Sequence, residues 1–430
     1  MAVCALRYSD GLAYIAYIAH IAHIHDRARE PPRPPPMQAQ HRNVLVLSCA
    51  QATLQTTGTN LVAVTGLAGF ALAADKTLAT LPLTCYVFGS ALATIPASLL
   101  MRSMGRRGGF LVGTALGGAG SLACSLALWI ASFRLLCAAM VVMGMYAAFG
   151  KYYRFAAADA ASDRFRAKAI SLTLAGGIVG GVFGPEMAKH TRTLVPGIEF
   201  LGSYLSLALV CAVAALILSR LDIPKLSSHE QQDSGRPIGA IMRQPVFVVA
   251  ALGSMLSYGI MNLLMTSTPL AMHAHAYHFD DAAFVLEWHV IGMFGPSFFT
   301  GSLINRFGTL NVMFTGVVLM ALCIAAALSG TALLNFWSAL VLLGVGWNFM
   351  YVAGSALLTE CHTPAERAKT QAANDFLIFL TMAVSSMSSG VLLQTSGWQA
   401  VNYGSIPFLL LAAGATLWLM WQRRMQRQPA

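Results

Sequence analysis

Long apolar runs, separated by short polar breaks, dominate the chain from residue 43 onward. A helix of about 20 apolar residues is long enough to cross the hydrocarbon core of a bilayer. Twelve such runs can be marked, six on each side of a polar connector, with boundaries good to about four residues. They lie near residues 44–73, 78–100, 110–131, 133–157, 169–190, 198–220, 245–270, 281–304, 310–329, 332–358, 371–395 and 399–421. The pattern predicts an all-α membrane protein with twelve transmembrane helices in two pseudo-symmetric six-helix bundles.

Five segments follow from this pattern. They are a low-complexity, disordered extension (1–42), an N-terminal bundle (43–221), a cytoplasmic connector (222–244), a C-terminal bundle (245–422) and a cytoplasmic tail (423–430). The extension contains a three-residue repeat, AYIAYIAHIAHIH, that is too short to span a bilayer, followed by PPRPPP. We expect the functional protein to start at Met37 and residues 1–36 to be dispensable for expression and transport.

Composition supports a lipid environment, since 57% of the residues are hydrophobic and only 10% are charged, whereas soluble domains carry about 25% charged residues. The net charge of +10 resides mainly in loops on one side of the predicted membrane. Those loops carry Arg102, Arg106, Arg107, Arg164, Arg166, Lys168, Arg220, Lys225, Arg236, Arg243, Arg306, Arg367, Lys369, Arg423, Arg424 and Arg427. The positive-inside rule makes this side cytoplasmic, with both termini there, as in a bacterial-type inner membrane. The basic residues thus indicate orientation and no nucleic-acid partner.

Several chemistries find no support in the sequence. The eight cysteines show no paired spacing, and neither a catalytic constellation nor a phosphate-binding loop is present. We predict no enzyme activity, no cofactor and no metal. The histidines His273, His275 and His278 match no standard zinc spacing, and the following Asp280 and Asp281 are better explained as caps of the eighth predicted span.

An internal repeat relates the two halves. Gly105 lies in the segment SLLMRSMGRR and Gly308 in the similar segment GSLINRFG. These two glycines are separated by the same number of residues as Arg164 and Arg367. Two pairs of corresponding loops with the same separation along the chain indicate a duplicated six-helix unit.

The chain resembles the major facilitator superfamily across essentially all of residues 43–421. Gly301, Arg306 and Gly308 match the family's loop motif, with Asn305 where an acid usually stands. In the first half Arg102 replaces the acid, which argues against this loop forming the family's usual charge-pair gate. The resemblance implies the twelve-helix fold and a central cavity lined by spans one, four, seven and ten.

Two narrower similarities point to different functions. The glycine-rich run from Gly176 to Pro185 is similar to a motif of drug/proton antiporters in the family, or else serves only close helix packing. The segments KYYRFAAAD, YGIMN and GWNF resemble a bacterial group that includes riboflavin importers.

Polar side chains recur at helical spacing on the spans that the resemblance assigns to the cavity. Such a stripe faces either protein or water, because lipid leaves its polar groups unpaired. The candidate substrate-binding residues are Gln51, Gln55, Asn60, Lys151, Arg154, Tyr258, Asn262, Trp347, Asn348 and Tyr351, with Tyr152 or Tyr153 nearby. For each residue, hydrogen bonding between helices is an open alternative. Together they suit a flat, hydrogen-bonding heteroaromatic ligand.

Lys151 and Arg154 lie within an apolar run that ends at a charged loop beginning near Asp159. At helical rise Arg154 is about 7–8 Å and Lys151 about 12 Å inside that boundary. A cation at this depth needs a partner or a wet cavity, or it must snorkel to the surface.

Candidate gating residues are Arg106, Arg164, Arg306, Arg367 and Asp375, and we predict that Asp375 pairs with Arg154. Glu287 with His289 is the candidate proton-coupling site, or an interfacial pair. The predicted function is a monomeric secondary-active or facilitative transporter that imports a small organic solute such as riboflavin. The alternatives are a drug/proton antiporter and a transporter-like receptor that binds without flux.

Overall fold

The computed structural model describes residues 37–75, 78–79, 81–224 and 235–426. Gln38–Ala430 forms one compact unit, and only Met37 of the other unit, Met1–Met37, is described. The expectation for residues 1–36 therefore lies outside the described part of the chain.

The described residues form helices joined by short loops, with no strand among them. The helices are α1 (Met37–Leu72), α2 (Leu81–Trp129), α3 (Phe133–Gly150), α4 (Tyr153–Asp159), α5 (Asp163–Ala175), α6 (Gly177–Thr191), α7 (Leu201–Leu218), α8 (Ile238–Met242), α9 (Pro245–Ala274), α10 (Phe279–Phe294), α11 (Ser297–Phe307), α12 (Thr309–Leu328), α13 (Leu333–Leu358) and α14 (Arg367–Met425). The prediction of an all-α membrane protein is confirmed.

Nine helical segments of the described chain are long and apolar enough to cross a membrane, or ten if the bent pair α10–α11 is one span. α1 is not among the nine, since the polar residues along it lower its mean hydropathy. The 49 residues of α2 count once, yet at helical rise they extend about 73 Å, more than twice the bilayer core. The predicted count of twelve therefore stays a prediction.

Two glycines mark the turns where the sequence repeat places them. Gly105 interrupts α2 with φ 83° and ψ 167°, and Gly308 separates α11 from α12 with φ 90° and ψ 152°. A side chain is strained at such positive φ, so glycine suits both turns. The two repeated loops thus share one backbone conformation.

The glycine-rich run lets α5 and α6 pack against two helices at very short range. A Cβ atom on Gly176 or Gly180 would lie 2.0 or 2.3 Å from the carbonyl oxygen of Ser48 or Ala52 in α1. On the other side, a Cβ on Gly181 would lie 2.3 Å from the side chain of Val290 in α10. Close packing therefore accounts for these glycines.

The connector is attached to both halves of the chain. At one end, the Asn43 side chain donates to the Asp222 carbonyl at 2.7 Å and accepts from the Asp222 N–H at 3.1 Å. At the other end, the Arg236 guanidinium donates to both carboxylate oxygens of Glu366, each at 2.7 Å. These hydrogen bonds hold the pKa of the buried Glu366 carboxyl well below its usual range.

The predicted cap of the eighth span is confirmed for Asp281. Its carboxylate accepts from the backbone N–H of His278 at 3.1 Å, and the two residues form a capping box at the start of α10. The side chain of Asp280 is outside the described atoms.

The close packing of α6 on α1 leads to a stability prediction. Gly180→Ala should lower the thermal unfolding midpoint of the purified protein, because the added methyl group meets a backbone carbonyl that cannot move cheaply. Overpacking of this kind costs about 1–3 kcal/mol.

Gly66→Ala is the matched control, since no atom lies within 4 Å of a Cβ atom built there. It should leave the midpoint unchanged or raise it, because alanine is the better helix former. Equal midpoints for the two variants would show that the close approach of α6 to α1 is wrong.

Candidate functional site

A cavity lies between the two halves of the chain, about midway along α1, α9 and α13. Its lining comprises Gln51, Gln55, Lys151, Arg154, Leu174, Tyr258, Phe294, Trp347 and Tyr351. Its empty volume is about 270 Å³, open space at the mouth included. Seven of the ten predicted substrate-binding residues therefore meet at one cavity.

The two halves contribute different chemistry to the lining. The N-terminal half supplies two amides, two cations and Leu174, whereas all four lining residues from the C-terminal half are aromatic. A ligand between them would meet a hydrogen-bonding wall on one side and an aromatic wall on the other.

The aromatic wall is a packed cluster. Trp347 and Tyr351 are stacked, with centroids 4.9 Å apart and an interplanar angle of 23°. Tyr258 stands edge-on to both, at 5.1 and 4.9 Å, and Phe294 stands edge-on to Trp347 at 5.8 Å. These offset and edge-to-face arrangements are the favourable ones for aromatic rings.

Lys151 extends from the N-terminal half to the aromatic wall. Its ammonium donates to the Tyr258 hydroxyl at 3.1 Å and lies 5.1 Å from the centroid of the Tyr258 ring. Both contacts join the two halves, and the second lies within the usual range of a cation–π interaction.

Arg154 is buried, with 2% of its side chain exposed, and forms an ion pair with Asp375 of α14. Its guanidinium also donates to the Tyr351 hydroxyl and lies 4.5 Å from that ring's centroid. Asp375 accepts a further hydrogen bond from the Asn374 amide at 2.9 Å. The predicted contact between Arg154 and Asp375 is present, and snorkelling of Arg154 is excluded because its charged end is buried.

A second ionic cluster centres on Asp159, whose side chain is only 8% exposed. One carboxylate oxygen accepts from Arg106 and the other from Arg367, both at 2.9 Å. Arg106 also donates to the Gln371 side chain at 2.7 Å. The interpretation of Asp159 as a water-facing boundary residue was wrong, because this acid is buried between two cations from opposite halves.

Further hydrogen bonds close the same end of the molecule, which carries the predicted basic loops and is called the basic end below. The Ser98 hydroxyl donates to the Ala368 carbonyl at 2.6 Å. The Asn305 amide donates to the Arg164 carbonyl at 2.8 Å. The two halves are therefore in direct contact at the basic end.

Three predicted substrate-binding residues lie between helices, outside the cavity lining. Asn60 donates to the Gly184 carbonyl at 3.4 Å, and Asn262 donates to the Ser385 hydroxyl at 2.9 Å. Asn348 is fully buried and donates to the Met293 carbonyl at 2.6 Å. In this conformation they make the interhelical hydrogen bonds that the sequence left open as an alternative.

The candidate proton site is not assembled. Glu287 is exposed, whereas His289 is fully buried and its Nδ1 lies 2.8 Å from the Leu340 carbonyl. Residues two apart on a helix point to different faces, and no ion pair joins these two. The two side chains are therefore not paired in this conformation, and proton coupling through either residue stays a prediction.

The predicted gating residues divide into two groups. Arg106, Arg367 and Asp375 lie in the ionic clusters between the halves, whereas Arg164 and Arg306 are exposed and neither makes an ion pair with a described residue.

Tyr152 and Tyr153 pack within the N-terminal half. Tyr152 donates to the Thr94 carbonyl at 2.9 Å, and Tyr153 packs edge-on against Phe110 at 4.7 Å. The expectation that one of them lines the cavity was therefore wrong for this conformation.

Two residues of the cavity lining were missed because nothing in the sequence distinguishes them. Leu174 and Phe294 are apolar residues within apolar spans, so a search for polar stripes passes over them. The partners of Asp159 were missed because this acid stands where an apolar run gives way to a charged loop.

Comparison with known proteins identifies the family. The model of the Major Facilitator Superfamily matches residues 45–295 and 251–430. This chain belongs to the major facilitator superfamily. Like the family, it is a membrane transporter.

Its relatives in the superfamily include the riboflavin transporter RfnT of Brucella anthropi, 40% identical over 87% of this chain and 94% of that protein. The uncharacterized MFS-type transporter YdeG of Bacillus subtilis is 30% identical over 79% of this chain and 84% of that protein.

Solved structures of superfamily members share the fold. The human organic anion transporter MFSD10 has a TM-score of 0.73 at 14% identity, covering 89% of this chain and 100% of that one. The Escherichia coli fucose:proton symporter FucP has a TM-score of 0.68 at 15% identity, covering 86% and 97%. At these identities the likeness concerns the fold alone.

Proposed function

We propose that this transporter imports riboflavin or a similarly flat heteroaromatic nutrient by alternating access. The observation that carries the proposal is the 40% identity to the riboflavin transporter of Brucella anthropi over 94% of that protein's length. A relationship this extensive covers both halves of the fold and hence both walls of the cavity.

The cavity chemistry supports a flat ring system as the substrate. Trp347, Tyr351 and Tyr258 offer ring faces and edges for stacking, and Gln51 and Gln55 offer amide donors and acceptors opposite them. A heteroaromatic ligand with polar groups along one edge uses both walls at once.

The cavity must enlarge to hold such a ligand. Because its empty volume of about 270 Å³ already includes open space at the mouth, the enclosed space is well below the range of about 300–1,000 Å³ that is usual for pockets of drug-sized ligands. If the basic loops face the cytoplasm, this structure is closed on the cytoplasmic side, and both termini lie there in a bacterial-type inner membrane. We propose that a single chain carries out the cycle.

The gate in this proposal consists of the ionic contacts between the halves. Arg154 and Asp159 belong to the N-terminal half, and their partners Asp375 and Arg367 belong to the C-terminal half. Opening the cytoplasmic side would separate them. Arg164 and Arg306, which the sequence also suggested, would act only through the backbone contacts of their loops.

Growth of a cell that cannot make riboflavin tests the substrate. Expression of this chain should restore growth at low external vitamin, and Trp347→Leu should lower the initial uptake rate about tenfold because part of the aromatic wall is lost. Trp421→Leu, at a residue that is 60% exposed and outside the cavity, should match the parent protein.

Two outcomes would contradict import. Resistance to several dyes or antibiotics without restored growth would indicate efflux. Binding of riboflavin without flux in proteoliposomes would indicate a receptor.

Charge exchange tests the gate. Arg154→Asp and Asp375→Arg should each abolish uptake, because removing one partner strands a buried charge at a cost of about 3–5 kcal/mol. The double exchange should recover part of the uptake, measured for membrane-localised variants at matched expression.

A double variant as inactive as either single variant, or an active Asp375→Ala, would show that the pair is not the gate. Arg154 would then be assigned to the substrate alone.

A further inference from the structure

Among the described residues, the cavity region contains one more positive charge than negative charge. Arg154 and Asp375 form an ion pair, which leaves Lys151 as the excess cation. Among the described residues, no carboxylate lies within ion-pair distance of Lys151, and its ammonium donates to the neutral Tyr258 hydroxyl. A cation at membrane depth is costly, and evolution retains it mainly where it serves a ligand or an ion pathway.

Two other donors beside the cavity have no acceptor. Within the described part of the chain, Trp347 Nε1 and Arg154 Nε are buried and make no hydrogen bond. Buried donors are normally satisfied, so each of these needs an explanation. Together with the Lys151 ammonium, they indicate a ligand that is rich in hydrogen-bond acceptors.

The position of the ammonium limits where the ligand's charge can lie. It is 5.1 Å from the centroid of the Tyr258 ring, and that ring touches Trp347 and Tyr351 edge-on. The cation is therefore beside the aromatic wall. A ligand ring stacked on that wall would bring its own atoms, or a group attached by one or two bonds, next to the ammonium.

We propose that Lys151 is the anion-recognition residue of the cavity, and that the cavity prefers a flat heteroaromatic ligand with one negative charge on or directly beside its ring system over the neutral equivalent. The inference rests on the proposed function, since it assumes that a flavin-like ring occupies the cavity. Ligand binding would replace the contact between Lys151 and Tyr258 with a charge-assisted hydrogen bond.

Arg154 is distinct from Lys151 in this respect. Its charge is already neutralised by Asp375, so it adds little net attraction for an anion while that pair is intact. The charge preference should therefore depend on Lys151.

The experiment compares flavins of equal ring structure and different charge on the purified full chain. The probes are neutral N10-methyl flavin and analogues that carry a carboxymethyl group at N3 or at N10, and binding is measured by quenching of flavin fluorescence. At least one carboxylated analogue should bind about 10- to 100-fold more tightly than the neutral flavin, the usual effect of a hydrogen bond to a charged group.

The variants assign this preference to one residue. Lys151→Gln should bring the affinity ratio of charged to neutral flavin close to one, and Lys151→Arg should retain most of it. Lys189→Gln, which removes an exposed lysine far along α6, should leave the ratio unchanged.

The outcomes separate this inference from the proposed function. If neutral flavin binds but neither carboxylated analogue binds more tightly, or if Lys151→Gln weakens all ligands equally, the inference is overturned while the function stands. If no flavin binds, both are overturned. The ratio in the parent protein tests the preference for an anionic ligand even if Lys151→Gln fails to fold.

Discussion

In the proposed mechanism, the closed arrangement of the two halves depends on the buried ion pair between Arg154 and Asp375. Both side chains are about 2–3% exposed, and neither charge is tolerable at this depth without the other. Because the partners come from opposite halves, the pair forms only when the halves meet at the basic end. The fold thus ties a strong electrostatic requirement to one conformation of the transporter.

The Asp159 cluster likewise joins the two halves through largely buried charges, nearer to the surface. One carboxylate is shared by Arg106 and Arg367, so the loop motif of the first half is linked to α14 of the second half. The acid that this loop motif lacks at Arg102 is replaced by one at the end of α4. Gly176, between α5 and α6, and the glycines of α6 complete the arrangement, because they let α1 and α10 approach from two sides without side chains between them.

The sequence predicted the fold well because its signals are long and repeated. Apolar runs and the glycines at positions 105 and 308 fix the order of the helices and their turns. It predicted the cavity less well, since Trp347 and Asn348 are neighbours on one helix and only packing decides which of them faces the ligand. Asp159 was missed for a related reason: an acid at the end of an apolar run looks like a solvent-facing boundary until its two arginine partners are brought to it by the fold.

The central claim is that the buried pair holds the basic end closed, and a distance measurement tests it most directly. Ser103 and Asn311 are exposed residues at the basic end of opposite halves. Spin labels at these two positions would report their separation by pulsed electron–electron double resonance in nanodiscs. We predict that Arg154→Met moves the distribution to longer distances, while Arg134→Met, at an exposed arginine at the start of α3, leaves it unchanged. An unchanged distribution in folded Arg154→Met would contradict the account.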